Sequence, residues 1–158
     1  MVTAEGGLDS ILRDHPFFAG MSAAYRSLIV GCADNEVFSA GQYIYREDDP
    51  ADKFYLIRHG HVALEVHVPG RAPIVVDTLG SGELMNWSWL VPPYRAQFDA
   101  RAVELTRVIG LNGKCLRGKM DEDARLGYEL HRRFAPVVAS RLAAARRQLI
   151  DMYGHPHD

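Results

Sequence analysis

The chain has 158 residues, 47% hydrophobic and 24% charged, with a formal net charge of −2. That length suits one domain with one core, and the charge balance argues against a generic nucleic-acid or membrane-surface binder. No apolar run approaches the ~20 residues of a membrane span. The N-terminal MVTAEGGLDS lacks the charged and apolar regions of a secretory signal, so a cytoplasmic location is expected.

The first segment reads helical, with Leu8, Ile11 and Leu12 at helical spacing and Pro16 ending the run. HPFFAGM is a turn with two aromatics to bury, and a second short helix fits Ser22 to Cys32. Ser22 is its N-cap, and Tyr25, Leu28, Ile29 and Cys32 fall on one face. Cys32 and Cys115 are too few and too far apart in the chain for a disulfide framework or a zinc knuckle, and read as reduced, buried or half-buried thiols.

From Asn35 the pattern changes to short β runs bounded by Ala40-Gly41, Asp48-Asp49-Pro50, His59-Gly60, Pro69-Gly70 and Leu79-Gly80. In VALEVHV the alternation places Val62, Leu64, Val66 and Val68 on one face and Ala63, Glu65 and His67 on the other. Short strands at this spacing predict an antiparallel sandwich or jelly roll. The stretch GSGELMNWSWLVPPYRAQF interrupts them, and they resume from Phe98 to Leu111. Asn112 caps a short helix through Met120, and a long helix follows, with Asp121, Glu122 and Asp123 at its N-terminus where the helix dipole favours acids. Leu126, Leu130, Phe134, Val137 or Val138, Leu142, Ala145, Leu149 and Met152 form a narrow apolar stripe. Pro136 is expected to kink or split the helix, and the GHPHD tail to be disordered. The predicted organisation is a single domain over residues 1–158: N-terminal helices 7–33, a mainly β roll 35–111 and C-terminal helices 112–153.

Three stretches, in order, carry a resemblance. HPFFAGM resembles an entry turn of paired aromatics, FSAGQYIYREDDPADKFYLIRHGHVAL a strand–Gly–strand pattern with an acidic turn, and LGSGEL with YRA a phosphate-binding cassette. Together they resemble the cyclic nucleotide-binding domain, as in the sensor half of catabolite activator protein and the regulatory domains of cyclic-nucleotide-dependent kinases. The likeness runs from about Leu8 to Tyr153. It implies a jelly-roll sensor with a long C-terminal helix. A short helix just after Gly82-Glu83-Leu84 would aim backbone N–H groups at an anion, with Gly82 admitting close backbone approach. Glu83 would accept from the ribose 2′-OH, and Arg95 would give a planar fork to the phosphate. Leu84, Met85, Ser88 and Ala96 would add backbone donors or lining, and Gln97 would bond a ligand or satisfy the pocket without one. Ala96 after the arginine leans toward cAMP.

The stretch departs from the family pattern in its longer Glu83-to-Arg95 spacing, with Trp87-Ser88-Trp89 and Pro92-Pro93 inside it. On the last helix, where relatives often read the base, LAAARR leaves only Arg141 and Arg146 as donors. His59 and His61 read as solvated turn residues, with no metal site. No nucleophile elbow, P-loop, kinase motif or paired-His signature is present, so neither catalytic residues nor an enzyme are read. The sequence as a whole reads as a stand-alone cytoplasmic sensor of a cyclic nucleotide, cAMP foremost, homodimeric through the long helix and signalling to a downstream protein. No further cofactor is read. Direct DNA binding is not expected, since the sequence to Asp158 shows no helix-turn-helix after the long helix. Two alternatives fit the same residues: a ligand-free interaction module in which Asp99 or Glu83 neutralises Arg95, and a transcriptional regulator related to catabolite activator protein.

Overall fold

A computed structural model describes residues 4–154. Helix α1 (Ala4–Asp14), a 3-10 turn (Pro16–Phe18) and helix α2 (Ala23–Val30) lead into strands β1 (Ala33–Phe38), β2 (Tyr43–Tyr45), β3 (Lys53–His59), β4 (Val62–Val66), β5 (Ile74–Leu79) and β6 (Leu84–Met85). A second 3-10 turn (Trp87–Leu90) precedes β7 (Asp99–Ala102) and β8 (Thr106–Asn112), and helices α3 (Gly113–Glu122) and α4 (Ala124–Gly154) close the described chain. Two antiparallel four-stranded sheets, β1-β8-β3-β6 and β2-β7-β4-β5, make the roll. This is the expected antiparallel β architecture with flanking helices and a long C-terminal helix. Of the tail read as disordered, residues 155–158 lie outside the described residues. No helix among the described residues is long and apolar enough to cross a membrane.

The two-residue period of a strand explains the layering. On β3, Phe54 and Leu56 face the helices, while Tyr55 and Ile57 face into the roll. On β8, Ile109 and Leu111 join the helix-side core and Val108 the roll-side core. The first sheet is therefore covered on both faces: α1, α2, α3 and α4 pack on one, and the second sheet on the other. Strand β4 departs from the half-exposed strand its alternation suggests, because its second face is buried too, with Ala63 and Glu65 each 2% exposed. The charge of Glu65 is matched across the β4–β7 pair by the Arg101 fork, at 3.2 and 2.9 Å to the same carboxylate oxygen. At the β3–β4 turn Gly60 has φ +99, and an added Cβ would lie 2.7 Å from the Leu105 carbonyl oxygen, so only glycine fits.

The helices refine the sequence reading. Ser22 caps α2 by accepting from Tyr25 N–H, but Leu28 is exposed and drops out of the buried face. Asn112 caps α3 by accepting from Cys115 N–H. Asp121 and Glu122 belong to the last turn of α3, so of the three acids only Asp123 sits at the start of α4, where it accepts from Arg125 and Leu126 N–H. The Tyr25 hydroxyl bonded to it, then those backbone N–H groups, hold its carboxyl below the usual carboxylate range. Helix α4 runs through Pro136 as one unit of 31 residues. Its buried line is Leu126, Leu130, Phe134, Arg141 and Ala144, so beyond Val137 the inward stripe passes through Arg141 and leaves Leu142 70% exposed. Leu142, Leu149 and Met152 of the predicted stripe lie on the exposed face of the helix.

The expectation for the two cysteines is corrected in one respect, the exposure of Cys115. Distant in the chain, they are neighbours in space, with sulfurs 3.0 Å apart and Cys115 exposed.

The helix-side core centres on Trp89, fully buried, stacked on Phe54 at 4.4 Å between ring centroids and edge-on to Phe134 at 5.6 Å. Replacing Trp89 with Ala is expected to lower stability by about 3–5 kcal/mol in urea unfolding; a loss under about 1 kcal/mol would show that the ring is not core. Arg101→Met strands a buried carboxylate and should cost about 2 kcal/mol, with most of it recovered in the Glu65→Leu/Arg101→Met double variant.

Candidate functional site

Between β5 and β7 the chain leaves the roll and returns. Its entry is built on backbone bonds to β3: Gly82 N–H donates to the Ile57 carbonyl at 2.7 Å, and Ile57 N–H to the Glu83 carbonyl at 3.0 Å. Gly82 sits at φ +90, and an added Cβ would meet nothing nearer than His15 at 3.8 Å. The glycine therefore serves the backbone angle rather than a close approach. The Glu83 carboxylate folds back to accept from Gly80 N–H at 2.7 Å. His15, on the N-terminal 3-10 turn, accepts from Phe17 N–H through Nδ1, so Nε2 carries the proton it donates to the Gly82 carbonyl at 2.7 Å.

A helix was expected directly after Leu84. Instead Leu84 and Met85 form β6, paired with Leu56 and Tyr55, so the β3 ladder claims these residues. Asn86 then turns at φ 71 and donates from its side chain to the Lys53 carbonyl at 2.8 Å. The turn that follows, Trp87–Leu90, is a single 3-10 turn.

The Trp-Ser-Trp and Pro-Pro expansion is held from the helical side. Trp89 anchors it in the core. Arg117 of α3 donates to the Trp89 carbonyl at 2.8 Å and the Ala51 carbonyl at 3.1 Å, and its guanidinium lies 4.3 Å over the Tyr94 ring. The Pro92–Pro93 bond is cis. The return path then meets the β2–β3 turn: Ala51 N–H donates to the Tyr94 carbonyl, Ala96 N–H to the Asp49 carbonyl and Asp48 N–H to the Ala96 carbonyl, all within 2.9 Å. The backbone N–H of Ala96, expected as a ligand donor, is thereby occupied.

Arg95 is exposed, and its guanidinium donates to the Asp48 carbonyl at 3.3 Å. Among the described residues it has no carboxylate partner. Asp99, one residue weighed as its neutraliser, accepts from Glu47 N–H at 2.7 Å and faces Arg46 at 3.8 Å. Glu83, the other, is held by Gly80. Gln97 donates to the Arg95 carbonyl at 3.1 Å.

Three cavities surround this segment. One of about 220 Å³ lies between the cassette entry and α4, lined by Gly82, Glu83, Leu84, His15, Ser140 and Arg141. A second of about 10 Å³ lies inside the roll, lined by Tyr45, Trp87, Ser88, Gln97, Phe98 and Arg141. A third of about 380 Å³ opens beside Tyr45, Lys53, Tyr55 and the Asp49-Pro50 turn. The predicted residues are thus divided: Gly82, Glu83 and Leu84 share the first cavity and Ser88 and Gln97 the second. Met85 and Ala96 are buried beside them, and Arg95 stands apart at the β2–β3 turn.

Arg141 joins the first two cavities. It is 6% exposed, donates to the Leu84 carbonyl at 2.5 Å and stands 3.9 Å from the Asp77 carboxylate. Burial pushes the Tyr45 phenol up, and the Arg141 charge pulls it back. The resemblance offered Arg141 beside Arg146 as a base-reading donor; Arg146 is exposed and Arg141 alone enters the site. Its four-residue step from Val137 was the available signal. His15 and Asn86 were not foreseen as site residues, since both act through backbone carbonyls, which residue type does not report. Among the described residues no group of three or more His, Cys, Asp or Glu side chains is placed to hold a metal. His61, read as solvated, pairs with Glu104 at the surface.

Comparison with known proteins agrees with this architecture. The family model of the cyclic nucleotide-binding domain matches residues 35–123, over half of the chain. Among curated proteins, cyclic nucleotide-gated ion channel 18 of Arabidopsis thaliana is 31% identical over 85 residues, covering 50% of this chain and 12% of the channel. A crystal structure of a Geobacter metallireducens protein designated as cyclic nucleotide-binding superposes with a TM-score of 0.77 at 28% identity, over 85% of this chain and 97% of that one. Thermus thermophilus catabolite activator protein gives 0.66 at 25%, over 85% and 61%. The regulatory domain of Toxoplasma gondii PKA, solved with cAMP, gives 0.66 at 24%, over 74% and 45%, and shares the fold. With its β roll, its interrupting cassette and the family match spanning both, this chain belongs to the cyclic nucleotide-binding domain family.

Proposed function

We propose that the chain is a non-enzymatic sensor of a cyclic nucleotide, with cAMP as the effector, acting on the cytoplasmic side where such second messengers are made. The observation that carries this reading is Arg95, an exposed guanidinium at the β2–β3 turn with no carboxylate partner among the described residues, bonded to the Asp48 carbonyl. A cyclic phosphodiester supplies the missing anion, and the arginine fork matches its two free oxygens. Glu83 then exchanges its bond to Gly80 N–H for a ribose hydroxyl, while Gly82, Leu84, Met85, Ser88, Ala96 and Gln97 shape the cradle.

The output is carried by α4. Arg141 ties that helix to the Leu84 carbonyl at the cassette entry, so a ligand that moves the entry changes the contact that seats the helix. Nucleotide shifts the helix only by its difference in affinity for the two arrangements. The outer face of α4 presents Leu142, Leu149, Met152 and Tyr153, each more than half exposed. We assign this face to a homodimer, through which the signal passes to a downstream protein.

The second reading, a ligand-free module, is favoured by the small size of the roll-side cavity, about 10 Å³, lined by Trp87, Phe98 and Arg141. Calorimetry decides between them. Heat on titration with cAMP, weakened about ten- to hundredfold by Arg95→Ala with folding intact, supports sensing. No heat and no thermal shift at millimolar cAMP or cGMP leaves the module. For the dimer, light scattering should give twice the monomer mass for the wild type and the monomer mass for Leu142→Glu/Leu149→Glu. A monomeric wild type at micromolar concentration refutes the interface.

A further inference from the structure

We propose that Cys32 and Cys115 are a thiol modification site, which a hydroperoxide closes to an intramolecular disulfide. The two sulfurs lie 3.0 Å apart although 83 positions separate the residues. Their approach is held by the backbone. Cys32 closes the turn after α2, and its carbonyl accepts from Asn112 N–H at 2.8 Å. Asn112 in turn caps α3, its side-chain oxygen accepting from Cys115 N–H at 2.9 Å. The adjoining β1–β8 ladder pairs Ala33 with Leu111 and fixes the register between them. One residue, Asn112, thus bonds to both cysteines' backbones, and neither thiol is on a free loop.

The two thiols differ as an attacking and a resolving pair must. Cys115 is exposed in the first turn of α3, open to an oxidant. Cys32 is half-buried, and burial, then its contact with Cys115, pushes its thiol up to about 11. In the reaction the Cys115 thiolate attacks the O–O bond, takes one oxygen as a sulfenic acid, and the other oxygen leaves as water once protonated. The Cys32 sulfur then displaces the sulfenic hydroxyl as a second water and forms the S–S bond. Two thiols lose two electrons and two protons, and hydrogen peroxide becomes two waters; a dithiol reductant reverses the change. The disulfide encloses the whole roll, cassette included, and joins the α2–β1 turn to α3, whose Leu116 and Met120 share the helix-side core with α4. Nothing in this inference rests on nucleotide binding.

The test treats the reduced full chain with equimolar hydrogen peroxide. Expected are a protein lighter by two hydrogen atoms, loss of both titratable thiols, faster migration as a monomer on a non-reducing gel, and a higher thermal midpoint that reductant reverses. Closure should be about ten-fold or more faster in the folded chain than in urea, since the fold holds the sulfurs together. In Cys32→Ser a dimedone-trapped sulfenic acid should collect on Cys115, and Cys115→Ser should trap little. Two thiols surviving treatment, cross-linked dimers only, or equal rates folded and unfolded would each overturn the proposal.

Discussion

The cassette, the first sheet and the long helix meet in one aromatic contact. Trp89 stacks on Phe54 of β3 and stands edge-on to Phe134 of α4, which also stands edge-on to Phe54 at 5.2 Å. Each ring belongs to a different part of the fold, so none moves without opening space beside the other two, and close-packed interiors resist such space. The longer cassette is accommodated because its surplus is spent here. Trp89 goes into the core, Gly113 keeps the backbone of α3 clear of it, since a Cβ there would lie 2.9 Å from the indole, and Arg117 gathers the carbonyls of the turn. The expansion thus grips the helical side rather than lying loosely over the roll.

Around that anchor the charges divide by burial. Glu65 is buried and answered by a nearby fork, so its part is structural. Arg141 is buried with one carbonyl in hydrogen-bond reach and a carboxylate at 3.9 Å, and it faces two cavities. Arg95 is exposed without an anion. A guanidinium does not deprotonate to escape a poor environment, so each of these arginines keeps an open capacity for an anion or an acceptor. The helices also hold consecutive points of the cassette entry, His15 on the Gly82 carbonyl and Arg141 on the Leu84 carbonyl. Both ends of the chain therefore bear on the segment that the ligand is proposed to meet.

Much of this was legible in the residues, because periodicity and caps are local. The caps Ser22 and Asn112 and the turn glycines each depend on a few neighbouring positions. The candidate site was legible as a motif, in Gly82-Glu83-Leu84 and Tyr94-Arg95-Ala96, but not as a geometry. The expected helix after Leu84 gave way to β6 because β3 had an open edge to pair with, and no local signal reports what a distant strand leaves free. The stripe on α4 marked an apolar line but not which part of it the roll covers: the roll offers Arg141 a carbonyl and a nearby carboxylate, and Leu142 stays exposed.

By itself the sequence determined the order of helices and strands and the family, since these follow from short-range patterns and from residue types in sequence order. Only the tertiary structure decided which arginine is buried and which stands free, that Glu83 and Arg95 line different places, and that two remote cysteines touch. Those are distances between segments brought together by packing, and packing depends on the shape of the whole chain.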